Sequence, residues 1–404
     1  MLPDGWTLER LDSIATVERG RFSARPRNDP KYFGGETPFV QTGDVAGAQL
    51  YLRTHSQTLN ALGLTVSKVF EEGTILLTIA ANIGATAITR IPTACPDSVV
   101  GIRPLSAATD LLWLKYALAS RKEDLEAQAG QNAQKNINLE VLKPLRIAKP
   151  PTKEQRRIGD TLSTWDHAIG TAEQLVSAGH RQLKALQRQL LIKPVMSGEW
   201  DLSALSEVSE RIQRRANEEE VLPVLMISSG SGFVRQDEKY SRFMAGKSVE
   251  NYIALDRGEF AYNKGNSKLY EFGCVFALRG YERGLVPNVY VCFKLLPSLN
   301  ATFYEHLFRA DYLHDQLGAI VNTGVRNNGL LNIRPADFLA CRVPVPPMAA
   351  QNRIAAVLTT AARYVELRER DLDLLKREKA ALMSQLLAGK RRVKVPAAET
   401  EAQA

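Results

Sequence analysis

The chain has 404 residues, room for two or three domains each with its own core, and its 45% hydrophobic and 24% charged content is ordinary for a soluble globular protein. No run of about 18 apolar residues exists, which excludes a membrane-spanning helix. The net charge of +8 and pI near 9.2 favour a polyanionic partner. Cys95, Cys274, Cys292 and Cys341 are scattered, with no CxxC pair; this argues against a zinc ribbon or disulfide framework and for reduced thiols in the cytosol.

The opening Met1-Leu2-Pro3-Asp4-Gly5-Trp6 lacks the basic start and apolar run of a signal peptide. Trp6, Leu8, Leu11 and Ile14 reappear as Trp200, Leu202, Leu205 and Val208, always 194 residues later. Each set predicts a short strand or turn, then a helical turn, with the tryptophan as a core anchor. Residues 20–108 are β-rich: Thr37–Asp44, Gly73–Ile79 and Asp97–Arg103 are short, β-branched and bounded by Gly or Pro. Leu222–Ser228, Gly258–Asn263 and Val289–Lys294 are their counterparts. Pro38 to Pro223 and Gly73 to Gly258 span 185 residues, so insertions have accumulated in loops, where recognition usually sits. Helical stretches follow at 109–128 and 301–320. Polar Gly/Asn segments then run over 130–138 and 323–332, each ahead of a short strand.

The clearest repeat comes next. Pro150-Pro151, Gln155, Ile158, Leu162, Leu186 and Leu190 recur as Pro346-Pro347, Gln351, Ile354, Leu358, Leu382 and Leu386, 196 residues on and without a gap. An ungapped repeat at half the chain length means two similar halves. Beyond each Pro-Pro, which starts a helix but cannot sit inside one, apolar residues alternate at spacings of four and three. One series is Ile158, Leu162, Trp165, Ile169, Ala172, Val176, Gly179, Leu183, Leu186, Leu190. The other is Ile354, Leu358, Ala361, Val365, Arg368, Leu372, Leu375, Lys379, Leu382, Leu386. This is a coiled-coil seam, with Arg368 and Lys379 as polar positions able to fix register. The helices are expected to stop at Ser197-Gly198 and Gly389. Each seam is roughly 50 Å long at ~1.5 Å per residue. The simplest partner for each helix is the other, packed antiparallel; separate core helices or a homodimeric coiled coil are the alternatives. The predicted division is therefore 1–149, a first globular domain; 150–196, a spacer helix; 197–345, a second globular domain; 346–393, a second spacer helix; and 394–404, a disordered tail.

Catalytic signatures are lacking. A methyltransferase needs a glycine-rich cofactor loop and an Asn/Asp-Pro-Pro-aromatic motif, but Thr152 and Met348 follow the Pro-Pro pairs here. Gly246-Lys247-Ser248 is not a phosphate loop, since Ser241 stands where its first glycine belongs. His306 and His314 have neither metal-ligand nor triad spacing, and no cysteine or serine stands in a nucleophile context.

The W-x-L-x-x-L openings at Trp6 and Trp200, the Pro38–Asp44 strand ending in Thr-Gly-Asp, the Gly73 and Gly258 strands and the Pro-Pro-x3-Gln-x2-Ile helices occur in a duplicated order. In this the chain, from residue 2 to about 393, resembles the specificity (S) subunits of type I restriction–modification systems. It departs in having Arg326-Asn-Asn-Gly where the first half has Gln131-Asn-Ala-Gln-Lys, and in the two basic seam residues. The resemblance implies an α+β fold of two target-recognition domains in pseudo-twofold repeat, separated by two long antiparallel coiled-coil helices. It implies a non-catalytic subunit in which each half reads one part of a bipartite site in double-stranded DNA. Two methyltransferase subunits and restriction subunits would assemble around it; S-adenosylmethionine, ATP and Mg are expected on those partners and no cofactor on this chain.

Groove readout needs Arg, Lys, Asn and Gln at base edges and donors for phosphates. The first half offers Arg21, Arg25, Arg27, Lys31, Asn82, Gln131, Asn132 and Lys135. The second offers Arg235, Lys239, Arg242, Asn263, Lys264, Asn266, Lys268, Arg279, Tyr281, Arg283, Arg326 and Asn327, with the Asn263–Lys268 and Arg279–Arg283 loops foremost. Two other readings stay open at this point: a protein-binding coiled-coil scaffold without DNA specificity, and an enzyme with an unrecognised site.

If antiparallel spacers hold two readers ~50 Å apart, the half-sites lie about one to one and a half DNA turns apart, at ~34–36 Å per turn. Deleting one heptad from both helices is then expected to shorten the gap in the recognised motif by roughly three base pairs, for ~10 Å of helix. Methylome sequencing reads this directly; an unchanged gap contradicts the ruler.

Overall fold

The computed structural model of the chain describes residues 2–129, 136–216, 220–239, 250–265, 267–321 and 331–393. The chain falls into two compact units, one of residues 1–175 with 368–404, the other of residues 176–367. Each unit takes up part of both long helices.

In the first unit a four-stranded antiparallel sheet has the order Ala15–Arg19, Val99–Pro104, Ile75–Thr78, Thr86–Ile88. Side chains alternate faces along a strand, and here both faces are buried. Ile75, Leu77, Val100 and Ile102 pack with Trp113, Tyr116 and the long-helix residues Ile158, Leu162 and Leu386. Leu76, Ala87 and Val99 pack oppositely, with Val40, Phe70 and Cys95. The second face is covered by another four-stranded sheet, Gln57–Leu59, Phe33–Phe39, Thr93–Cys95 and Lys68–Phe70.

The second unit repeats this plan. Its sheet runs Ser209–Ile212, Val291–Leu295, Phe260–Asn263, Cys274–Ala277, the same order of corresponding strands. Phe260, Tyr262 and Phe293 face Phe303, Phe338, Ile354 and Leu358, while Ala261, Phe276 and Cys292 face away. The outer layer differs: a hairpin, Leu225–Ser228 with Gly232–Arg235, and a separate antiparallel pair, Ile253–Asp256 with Arg283–Val286, stand in place of the second sheet.

The repeated Pro-Pro-x3-Gln motif has the same task in both units. Gln155 Oε1 accepts from the Asp110 backbone N–H at 2.8 Å, and its Nε2 donates to the Pro150 and Ala108 carbonyls. Gln351 Oε1 accepts from the Asn300 N–H at 2.8 Å, and its Nε2 donates to the Pro346 carbonyl. Asp110 and Asn300 are the N-caps of the Leu111–Ala119 and Ala301–Arg309 helices. Both glutamines are buried, so each satisfies backbone groups that would otherwise be stranded. The tryptophans are core residues as expected; Trp6 Nε1 also donates to Glu154 at 3.1 Å, and Trp200 meets Phe303 edge-on.

The first long helix spans Thr152–Gln187, widens into a π turn at Arg188–Ile192 and ends with Lys193–Met196. The π turn accommodates Pro194, whose ring and missing N–H would break a regular ladder. The second spans Met348–Leu387. Both stop where expected, at left-handed Gly198 and Gly389. Inside the first unit, Asp166 and Glu173 of one helix pair with Lys379 and Lys376 of the other, and Glu154 pairs with Arg392 just past the second helix's end; the opposite run of the numbers makes the pairing antiparallel. Inside the second, Gly179 faces Val365, and a Cβ at Gly179 would stand 3.0 Å from its Cγ2. Lys379 fills its polar seam position by bonding Asp166 Oδ1 at 2.5 Å, while Tyr116 donates to Oδ2 of the same carboxylate. Arg368 instead pairs along its own helix with Asp371.

Three sequence expectations are corrected. The Thr37–Asp44 strand ends at Phe39, and Thr-Gly-Asp begins a helix, Thr42–Gly47, because the Asp44 carboxylate accepts from Gln41 N–H. Each helical stretch is two helices: Leu111–Ala119 and Lys122–Ala129 in the first unit, and in the second Ala301–Arg309 and His314–Ile320, parted at left-handed Asp311. The strand expected from Val289 begins at Val291. The tail 394–404 and Gly246-Lys247-Ser248 lie outside the described residues.

Lys115 is buried beside this network. Burial draws its ammonium pKa down from 10.5 to about 8, against the attraction of Asp166. The unfolded chain thus holds this proton to higher pH than the folded one, so stability rises as pH climbs from about 8 to 10.5, and the buried charge is a cost below 8. Lys115→Met is expected to stabilise the protein at pH 7 by about 2–3 kcal/mol and to flatten that rise; urea unfolding across the pH range checks both.

Candidate nucleic-acid interface

In each unit the sheet has one end from which its chain leads to the long helix and one opposite. In the first unit, Arg19 pairs with Val100 and Thr78 with Val99, placing the ends of two strands and the start of a third at that opposite end. The turn between Ile75–Thr78 and Thr86–Ile88 projects there and carries Asn82, which is exposed. Ile137 N–H donates to the Ile79 carbonyl at 2.8 Å, and Asn136 bridges Ala80. The described end of the polar segment, Asn136–Ile137, is therefore tied to the Asn82 turn; Gln131, Asn132 and Lys135 lie outside the described residues.

The second unit has the matching arrangement. The connection from Phe260–Asn263 to Cys274–Ala277 holds Asn263, Lys264 and Lys268, and the Leu331 N–H donates to the Lys264 carbonyl at 3.1 Å. The described end of the polar 323–332 segment, at Leu331, is thus tied to this connection; Asn266, Arg326 and Asn327 lie outside the described residues. Asn263 Oδ1 accepts from Gly265 N–H, and Ser267 and Tyr270 bond each other's backbone, so the tip is pinned on both sides. At the tip Lys268 is exposed beside Leu269, which is 65% exposed and which sequence reading passed over.

The other candidates are dispersed and largely committed. Arg27 pairs with Asp97 at 2.9 Å, and that bond holds the carboxyl below its ordinary range. Arg27 still lies at the Asn82 end, since the Ser98 carbonyl beside Asp97 accepts from Ile79 N–H. Lys31 pairs with Asp29 and Arg235 with Asp237. Arg21 and Arg25 are exposed and donate to the Ser67 and Ala24 carbonyls. Lys239 closes the Gln236–Lys239 helix, and Arg242 lies outside the described residues. Arg279 follows the far end of the Cys274–Ala277 strand, paired with Glu305; Arg283 is held by Glu220 and Asp256, and Tyr281 is half-buried. The Arg279–Arg283 loop is thus not joined to the Lys264–Lys268 connection. His306 is buried with Nε2 at 2.9 Å from Thr359 Oγ1, and His314 pairs with Asp311. All four cysteines are buried, and burial pushes the Cys274 and Cys292 thiols up to about 12.

The family model described as "Type I restriction modification DNA specificity domain" matches residues 3–176. The chain is 21% identical over 414 residues to the type I restriction enzyme MjaIX specificity subunit of Methanocaldococcus jannaschii, covering 97% of this chain and 95% of that one. Residues 3–176 match that specificity-domain model, and nearly the whole chain is similar in sequence to a type I restriction enzyme specificity subunit. The MjaVIII specificity subunit of the same organism is also 21% identical, over 74% of each chain. Among solved structures, the type I S subunit from M. genitalium superposes with a TM-score of 0.59 at 15% identity, over 98% of this chain and 99% of that one. A chain from a study of type I R-M complex assembly and conformational transition gives 0.56 at 15%, over 97% and 100%. At such identities the structures speak for the shared S-subunit fold alone.

Proposed function

We propose that this chain is the non-catalytic, sequence-reading subunit of a type I restriction–modification complex, each unit contacting one part of a bipartite site in double-stranded DNA. One observation carries the placement of the interface: in both units the same strand connection of the same sheet presents Asn or Lys and is hydrogen-bonded to the polar segment that precedes the next short strand. Loops on a rigid, doubly covered sheet are where base edges can be met at fixed geometry. Exposed Lys268 serves phosphates and sets affinity; carboxylate-paired cations such as Arg27 exchange one anion for another.

In this proposal two methyltransferase subunits and restriction subunits act at the DNA that this chain selects. S-adenosylmethionine, ATP and Mg belong to those partners, and the complex works in the cytoplasm. Among the described residues no helix is long and apolar enough to cross a membrane. In the second unit the two long helices leave a groove of about 370 Å³ lined by Gly179, Gln182, Leu183, Val357, Thr360 and Tyr364. Val357 and Tyr364 are large and exposed there. We assign this groove to a helix of a methyltransferase partner.

Lys268→Ala is expected to weaken DNA binding alike across sequences and to reduce the slope of log K against log salt by about one. Binding measured from low to moderate salt decides this, and salt-independent binding would favour a protein scaffold instead. Tyr364→Glu is expected to abolish co-purification of the methyltransferase subunit with an unchanged thermal midpoint; full retention of that subunit contradicts the groove assignment.

A further inference from the structure

We propose that Asn82 is a base-reading residue of the first unit, its side-chain amide recognising the major-groove edge of an adenine. This inference rests on the DNA-recognition reading above and names the group through which that unit discriminates. Among the described residues, left-handed backbone outside glycine occurs at Ala81 (φ 42°), Asn82 (φ 45°) and Asp311 (φ 56°), so two of the three instances are adjacent in this one turn. Such conformations are unfavourable for L-residues and persist only where the surroundings impose them.

The surroundings do impose them. Thr78 is fully buried, its Oγ1 donates to the Asn82 carbonyl at 2.6 Å, and its own carbonyl accepts from Gly84 N–H at 2.9 Å. Ala85 N–H donates to the Asn82 carbonyl as well. Ile79 is pinned from two sides, donating to Ser98 and accepting from Ile137, and Ile83 is buried as an anchor. The tip is thereby a rigid mount. Residue choice does not relieve its strain, since Ala81 has no polar group to stabilise the left-handed form. Were position 82 chosen for backbone alone, glycine would suit it better.

Asn82 is the one polar side chain between Ile79 and Gly84. It is exposed, and its amide meets no partner among the described residues, unlike Arg27, Lys31 and Arg235. A terminal amide has both a donor and an acceptor, which match adenine N6–H and N7 together; it has no charge to offer a phosphate. A rigidly held amide therefore supplies discrimination, whereas the basic tip of the second unit supplies attraction.

The test uses the full chain with its methyltransferase partner, selecting bound duplexes from a random library at low salt, for wild type, Asn82→Gly and Asn82→Ala. Both variants are expected to lose preference for adenine at one position of one half-site, by about 10- to 100-fold, with the other half-site intact and the thermal midpoint of the glycine variant no lower. An unchanged motif, a loss spread evenly over all positions, or a loss in the glycine variant alone overturns the proposal, the last because it reports rigidity and not readout. If the wild type itself selects no motif, the DNA-recognition reading fails; if it selects one that both variants share, only this inference fails.

Discussion

The buried amides of Gln155 and Gln351 fix how each unit receives its long helix. Each bonds the backbone N–H of an N-cap residue, Asp110 or Asn300, and the carbonyl of the proline that precedes its helix. Without the amide, a buried N–H and a buried carbonyl would lose their partners, at about 1–3 kcal/mol for each stranded group. The bonds couple the first turn of a long helix to the short helix lying on the sheet, and so to the sheet itself. Glutamine suits the task because it donates and accepts at once, at a reach that spans helix and cap.

That attachment decides which end of the sheet is left for recognition. The strand that precedes the cap leads toward the helix, so the opposite end holds the strand connections carrying Asn82 in one unit and Lys264–Lys268 in the other. Both faces of the sheet are packed, which leaves its end loops as the adaptable part. The two units share this frame and differ in what they mount on it: a short, strained, uncharged turn against a longer basic tip.

Much of this was legible in the chain. The Pro-Pro repeat gave the helices and their stops, because proline and left-handed glycine act through local backbone geometry. The seam positions from Ile158 to Leu190 and from Ile354 to Leu386 are buried or half-buried throughout. The role of Gln155 was visible only as a repeated letter, since the N-cap it bonds, Asp110, lies 45 residues away in sequence. Charge patterning was less informative: Arg279 looks like a DNA ligand in sequence, but Glu305 reaches it through the fold. The Arg235–Asp237 and Lys31–Asp29 pairs were two residues apart and open to inspection. The helix begun by Thr-Gly-Asp was hidden because its cap competes with a β-branched run, and the strain at Ala81 and Asn82 because side-chain patterns do not report φ.

The central claim is that two separately built recognition ends select one split site. Co-expressing the chain with its methyltransferase subunit and sequencing the modified genome tests it most directly. The account predicts a single motif of two short specified blocks divided by an unspecified gap of fixed length. Methylation at one contiguous block, or without any common sequence, would contradict it.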